Sequence, residues 1–293
     1  MLVLTVALAL LVGVALGLLG GGGSILTVPL LAYVAGMEAK QAIATSLLVV
    51  GTTSAVAAIS HARAGRVQWR TGLIFGAAGM AGAYGGGLLA RFIPGGVLLI
   101  GFAVMMIATA VAMLRGRKEV GPPDPHHRIP VPKVVAEGLV VGLVTGLVGA
   151  GGGFLVVPAL ALLGGLPMPV AVGTSLVVIA MKSFAGFAGY LSSVAIDWKV
   201  AGMVTAAAVV GALAGARLTA LINPDSLRQA FGWFVLVMSS VILGEEVHPV
   251  LGIAVGVLAI AAAAIFYVRR RRAADTPAGT LADEHPKEVK HGG

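Results

Sequence analysis

The sequence predicts an all-α polytopic membrane protein built from two inverted-topology repeats. Each repeat has a broken or re-entrant first segment plus three spans, and one extra C-terminal span follows. Three observations carry this. First, 58% of the 293 residues are hydrophobic and only 11% charged, with mean hydropathy +1.00, whereas a water-facing domain carries about a quarter charged residues. Second, the apolar residues fall in recurring stretches of about 20, the length that crosses a bilayer. Third, GLLGGGGSILTVPLL (Gly17 to Leu31) aligns with GLVGAGGGFLVVPAL (Gly146 to Leu160), with nine of fifteen positions identical at an offset of 129.

That offset holds without a gap, which low-complexity Gly/Ala sequence would not produce by chance. AIATSLLVV from Ala42 matches AVGTSLVVI from Ala171. Trp69 falls on Trp198, Gly82 on Gly211, Gly86 on Gly215 and Phe102 on Phe231. Repeat 1 therefore covers residues 1–116, with apolar segments near 2–35, 42–60, 71–90 and 96–114. A cytoplasmic loop, 117–133, joins it to repeat 2 at 134–245, with segments near 134–164, 170–190, 200–221 and 227–244. An unmatched helix at 246–270 follows, then a tail at 271–293 whose polar composition predicts disorder. No Lys or Arg precedes Glu38, so the N-terminal apolar stretch lacks the basic region of a secretory signal and is read as part of the fold.

The first segment of each repeat is too long for one simple span. Glycine in a helix interior costs about 1 kcal/mol relative to alanine, and proline about 3 kcal/mol. Gly20, Gly21, Gly22 and Gly23 should break the first copy, and Gly149, Gly151, Gly152 and Gly153 the second. Charge then fixes orientation. Arg63, Arg66 and Arg70, the basic inter-repeat loop, and Arg269 to Arg272 all belong in the cytoplasm by the positive-inside rule, while Glu245 and Glu246 lie outside. Repeat 2 must then cross an odd number of times, so its broken segment makes zero or two crossings. A re-entrant hairpin turning at mid-membrane satisfies this and gives the two copies opposite topology, with the N-terminus outside and the C-terminus cytoplasmic.

Matched, Gly/Pro-broken segments in inverted repeats point to a transport site, with half-helix N-termini aimed at an anion. The competing reading, close helix packing through small residues, suits Gly82, Gly86, Gly211 and Gly215 better than it suits the two glycine runs. Lys182 is the most informative side chain. It lies roughly 18 Å into its helix, and an ionisable residue at such depth is a functional hypothesis by default. Its repeat mate is Thr53, and Ser183 mates with Ser54. Ser24 and Thr27 adjoin the first glycine run. Thr45 with Ser46, and Thr174 with Ser175, supply hydroxyls at equivalent places, although such groups often bond their own backbone. His61 with Arg63 reads as a topology anchor or an inner gate. Trp69 and Trp198 read as interfacial belt residues. Glu137 suits a helix start near the inner surface. His126 and His127 have no evident third ligand, so no metal and no cofactor are expected.

The formal charge of +8 does not require nucleic acid, because the basic residues sit mostly in loops and at the C-terminus. The spans offer almost no titratable groups for an enzyme, and no cysteine is available.

At these motifs the chain resembles the sulfite exporter TauE/SafE family of membrane transporters. The resemblance rests on Gly20–Pro29 (GGGGSILTVP), Gly149–Gly153 with Pro158, the two TSL triplets at Thr45 and Thr174, His61–Trp69 (HARAGRVQW) and Lys182–Phe187 (KSFAGF), and spans about residues 5–245. It implies a multi-pass protein of a bacterial inner (cytoplasmic) membrane that exports sulfite, a sulfonate or a related anion. The resulting expectation is a secondary transporter working by alternating access around a midplane site. Its partners are a small anionic substrate and the lipid bilayer, with a homodimer left open. An anion channel or a membrane assembly factor are the alternatives.

Overall fold

A computed structural model describes residues 2–19, 25–114, 131–149, 156–157, 160, 166, 168–218, 224–248, 250, 252 and 254–256. Among them every regular element is helical. In chain order these are α1 (Leu2–Leu19), the short α2 (Thr27–Pro29), which runs on as a π-helical turn (Leu30–Val34), α3 (Ala39–Arg63), α4 (Trp69–Leu89), α5 (Gly95–Leu114), α6 (Val131–Val148), α7 (Met168–Leu191), α8 (Trp198–Leu218) and α9 (Pro224–Glu246). Four of these helices are long and apolar enough to cross a membrane, and three shorter stretches are apolar. Leu10, Leu73, Val104, Val140, Val210 and Val237 are exposed on several helices, a surface that suits lipid. The inter-repeat loop with His126 and His127, most of the extra C-terminal helix and the tail lie outside the described residues.

The main helix contacts cross between repeats. α1 packs on α8, α4 on α6 and α7, α3 on α7 and α8, and α5 on α9. Exchanging the two repeats leaves this pattern unchanged, and the atomic contacts repeat with it. A methyl group added at Gly82 would lie 2.1 Å from the Leu139 carbonyl oxygen, and one at Gly211 would lie 2.1 Å from that of Leu10. Gly86 meets the Leu143 carbonyl as Gly215 meets that of Val14, and Gly142 meets Gly79 as Gly13 meets Ala208. Between helices in lipid the hydrophobic effect supplies no attraction, so close backbone approach at small residues provides the dispersion contacts instead. The packing reading of Gly82, Gly86, Gly211 and Gly215 holds.

The contacts also give direction. Along α4 and α7, Gly72 meets Thr174, Gly79 meets Lys182 and Gly87 meets Gly189, so the two run parallel. Along α4 and α6, Gly79 meets Gly142 and Ala83 meets Gly146, again parallel. Along α3 and α7, Leu47 meets Gly186, Gly51 meets Phe184 and His61 meets Gly173, so these repeat mates run antiparallel. α6 and α7 therefore point the same way although they are consecutive long helices.

One expectation needs correction. A mid-membrane turn would leave a first limb of about half a span. α1 and α6 are each 18 residues long, or about 27 Å at 1.5 Å per residue, close to a hydrocarbon core near 30 Å. α6 stays helical because Gly138, Gly142 and Gly146 present one stripe to α4, where packing offsets their low propensity. Its end reaches Ile43, in the second turn of α3, well past the helix middle.

The glycine stripe can be tested by substitution. Gly142→Val would drive its side chain into the Gly79 carbonyl, 2.2 Å from the Cβ position. We expect a loss of about 1–3 kcal/mol or more from overpacking, seen as a lower detergent unfolding temperature. Gly85→Ala, with nothing within 4 Å of its Cβ, should leave that temperature unchanged or raise it.

Candidate functional site

Lys182 sits in the middle of α7 and is 1% exposed. Its methylenes lie over Gly79 of α4, whose missing side chain makes the room. Its ammonium Nζ donates to Thr145 Oγ1 on α6 at 3.3 Å. The Thr145 hydroxyl proton is used elsewhere, donated to the carbonyls of Val141 at 2.7 Å and Gly142 at 3.2 Å, so its oxygen is free to accept. Among the described residues no acidic side chain pairs with Lys182. An ammonium out of water costs on the order of several kcal/mol even after relaxation, and one neutral hydroxyl offsets little of that. Burial of a cation without a counter-charge leaves room in the energetics for a ligand anion.

Register places this residue on the line relating the repeats. With Leu47 beside Gly186 and Gly51 beside Phe184, two further residues bring Thr53 level with Lys182, its own repeat mate. The side chains nevertheless face different helices. Lys182 turns to α4 and α6, whereas Thr53 lines a small cavity with Leu16 and Gly17 of α1 and Ala212 of α8. The structure thus does not gather Thr53 with Lys182. The Thr53 hydroxyl also donates to Val49 and Val50 of its own helix, at 2.8 and 3.1 Å, so it has no proton left for an anion.

Among the described residues, the buried hydroxyls of Thr27, Ser54 and Ser183 lack a hydrogen-bond partner. Leaving such a group unsatisfied costs about 1–3 kcal/mol, so each marks a place where a water or solute is wanted. Ser183 adjoins Lys182 in sequence, and Thr27 is wholly buried in α2. Gly20, Gly21, Gly22, Gly23, Ser24, Gly151, Gly152 and Gly153 lie outside the described residues.

Gly149 is the described part of the second glycine run, and its role is the turn. Its φ of 71° favours glycine. Its amide donates to the Thr145 carbonyl at 3.0 Å, and its carbonyl accepts from Ser46 Oγ at 3.0 Å. The amide is therefore not free for an anion. The other paired hydroxyls are structural too. Thr174 accepts the Gln68 amide at 2.9 Å, pinning the α3–α4 loop, and Ser175 donates to Val172 at 2.8 Å on its own helix. Thr45 is buried. His61 lies beside Gly173, about 13 Å along α7 from Lys182, with Nδ1 buried and unpartnered. Arg63 is exposed at the end of α3, as an anchor requires. Trp69 and Trp198 open α4 and α8 with more than half their surface exposed.

Sequence reasoning missed Thr145, Gly79 and Tyr190, whose hydroxyl donates to the Leu147 carbonyl and ties α7 to α6. The signal for Thr145 was asymmetry. Its repeat mate is Leu16 and that of Lys182 is Thr53, so two positions where the second copy is more polar are bonded to each other.

A larger cavity of about 310 Å³ opens at the first turns of α1, α3 and α8, lined by Thr5, Gly36, Gln41, Asp197 and neighbours. Asp197 Oδ1 accepts the amides of Lys199 and Val200 at 3.0 and 3.1 Å, capping α8.

The family model for sulfite exporter TauE/SafE matches residues 5–242. The chain belongs to this family. Among similar curated proteins, a "Probable membrane transporter protein" of Xylella fastidiosa (strain 9a5c) is 34% identical over 243 residues, covering 81% of this chain and 93% of that protein. The "Probable membrane transporter protein YdhB" of Bacillus subtilis is 28% identical over 230 residues, covering 78% and 94%. The "Probable membrane transporter protein MJ0441" of Methanocaldococcus jannaschii is 29% identical over 199 residues, covering 66% and 73%. No solved structure matches the chain. Membership of TauE/SafE makes this a multi-pass membrane protein of a transporter family, not of an enzyme family.

The Ser46–Gly149 clamp has a measurable weight. Ser46→Ala should cost about 0.5–1.5 kcal/mol. Gly149→Ala should cost more, because its Cβ would fall 2.6 Å from Ile43 Cγ2 at positive φ. Thermal unfolding in detergent should rank wild type above Ser46→Ala above Gly149→Ala.

Proposed function

We propose that the protein is a secondary transporter that exports a small sulfur-containing anion, sulfite or an organosulfonate, by alternating access around a site at Lys182. One observation carries the reading: the Lys182 ammonium is wholly buried, has a neutral partner and no acidic one among the described residues, and is level with its own repeat mate at the α3–α7 crossing. In two units of opposite topology that crossing is equally far from both membrane faces, which is where a midplane site belongs. The antiparallel course of α3 and α7 supports that topology. Ser183, next to Lys182 in sequence, adds a buried hydroxyl with no hydrogen-bond partner. A tetrahedral or pyramidal oxyanion takes such donors well.

In this reading the chain lies in a bacterial inner membrane with its N-terminus outside. The cavity at the first turns of α1, α3 and α8 is then the outer mouth, and the His61–Arg66 corner the inner one. Rocking α4, α6 and α7 against α1, α3 and α8 would open the site to one side at a time.

Lys182→Ala should abolish saturable sulfite or taurine counterflow in proteoliposomes, and Lys182→Arg should retain part of it. Loss of one contact to a charge, about 1.5–3 kcal/mol, corresponds to roughly ten- to a hundredfold weaker half-saturation. Equal counterflow by wild type and Lys182→Ala would remove Lys182 from the site. Steady single-channel currents in place of counterflow would make the protein a channel.

A further inference from the structure

A transport cycle has two crossings, one with the site loaded and one with it empty, and a buried ammonium weighs on them differently. In a form open to water on one side the ammonium keeps its hydration. Between two such forms it passes through a closed one. The structure holds Lys182 in a dry place of that kind, with Lys182 1% exposed and Ser183 wholly buried.

The surroundings there are neutral. α4 offers Gly79, and α6 offers Thr145 Oγ1 at 3.3 Å. Among the described residues no charged side chain acts on the ammonium. Glu137, the acid on α6, lies eight residues before Thr145, about 12 Å along the helix. At the level of Lys182, α3 carries Thr53, whose hydroxyl proton goes to Val49 and Val50. A carboxylate partner would let the empty site cross as a finished ion pair, and the described residues supply none.

A bare ammonium taken out of water is costly even after relaxation, and a neutral hydroxyl offsets little of that. With a monoanion in contact the pair carries no net charge, and its attraction in dry surroundings offsets much of the cost. The loaded site therefore crosses more easily than the empty one.

We propose that the protein is an anion exchanger: the site returns only with another small anion bound, so that one anion leaves as a second enters. This rests on the transport reading above and names what drives it, the inward gradient of the second anion. That anion needs only what Lys182 recognises, a negative charge on a solute small enough for a closed site.

Proteoliposomes loaded with labelled sulfite, and separately with labelled methanesulfonate, would be diluted into buffer holding either the same unlabelled anion or the bulky gluconate. Potassium with valinomycin clears the charge that net efflux leaves behind. Efflux roughly tenfold or more faster into the first buffer is expected, because the empty return carries the uncompensated charge. Thr145→Val removes the neutral partner of the ammonium. It should slow net efflux roughly tenfold further, with much less effect on exchange, and Thr145→Ser should behave as wild type. Equal wild-type rates into the two buffers overturn exchange and leave transport standing. If folded Thr145→Val slows both modes alike, the proposal falls, because exchange then does not arise at Lys182. Should Thr145→Val fail to fold, the wild-type comparison decides alone. Wild type that moves neither anion in either mode removes the transport reading itself.

Discussion

Contact between bare backbones holds this molecule together. In lipid an apolar side chain gains nothing by leaving the solvent, so helices adhere where small residues let main chains approach closely. Gly79, Gly82 and Gly86 meet α6, and Gly211 and Gly215 meet α1, with carbonyl oxygens where a side chain would otherwise stand. These seams lock the first helix of each repeat onto the third helix of the other. α3 and α7 are left at the centre, crossing antiparallel, and the position of Lys182 follows from that crossing.

Function in such a molecule is read from departures from symmetry. The two copies pack equivalently along the α1–α8 and α4–α6 glycine seams, yet the centre differs. Leu16 and Thr53 in repeat 1 correspond to Thr145 and Lys182 in repeat 2, and the latter two share a hydrogen bond of 3.3 Å. A polar pair with no counterpart in the other copy owes nothing to the packing that both copies share. Its Lys182 lies on α7 where that helix crosses α3.

Much of this was legible in the sequence. Composition gave the membrane class, and the alignment of Gly17–Leu31 with Gly146–Leu160 gave the duplication. Lys182 stood out because a charge amid apolar residues is costly. Less legible were the roles of hydroxyls and the depth of the glycine runs. Ser46 and Ser175 hold the same place in the two TSL triplets, but one clamps the Gly149 turn and the other bonds its own helix, a difference set by whichever segment packs opposite. The glycine run does end α6, at Val148 with Gly149 in the turn, but its depth was misjudged because the full 18 residues before the break already come close to the thickness of the bilayer core. Thr145 escaped notice because one threonine in an apolar helix usually bonds its own backbone; it does so here, and its spare lone pair is what Lys182 takes.

The interlocking of the repeats has a consequence for biogenesis. α1 emerges from the ribosome first, but the groove that receives it belongs to α8, some two hundred residues later in the chain. Until that helix arrives, the small-residue face of α1 stays unmated within the bilayer. α4 waits in the same way for α6. Neither half therefore completes its own packing, and the first helices meet their mates only once the second repeat has been made.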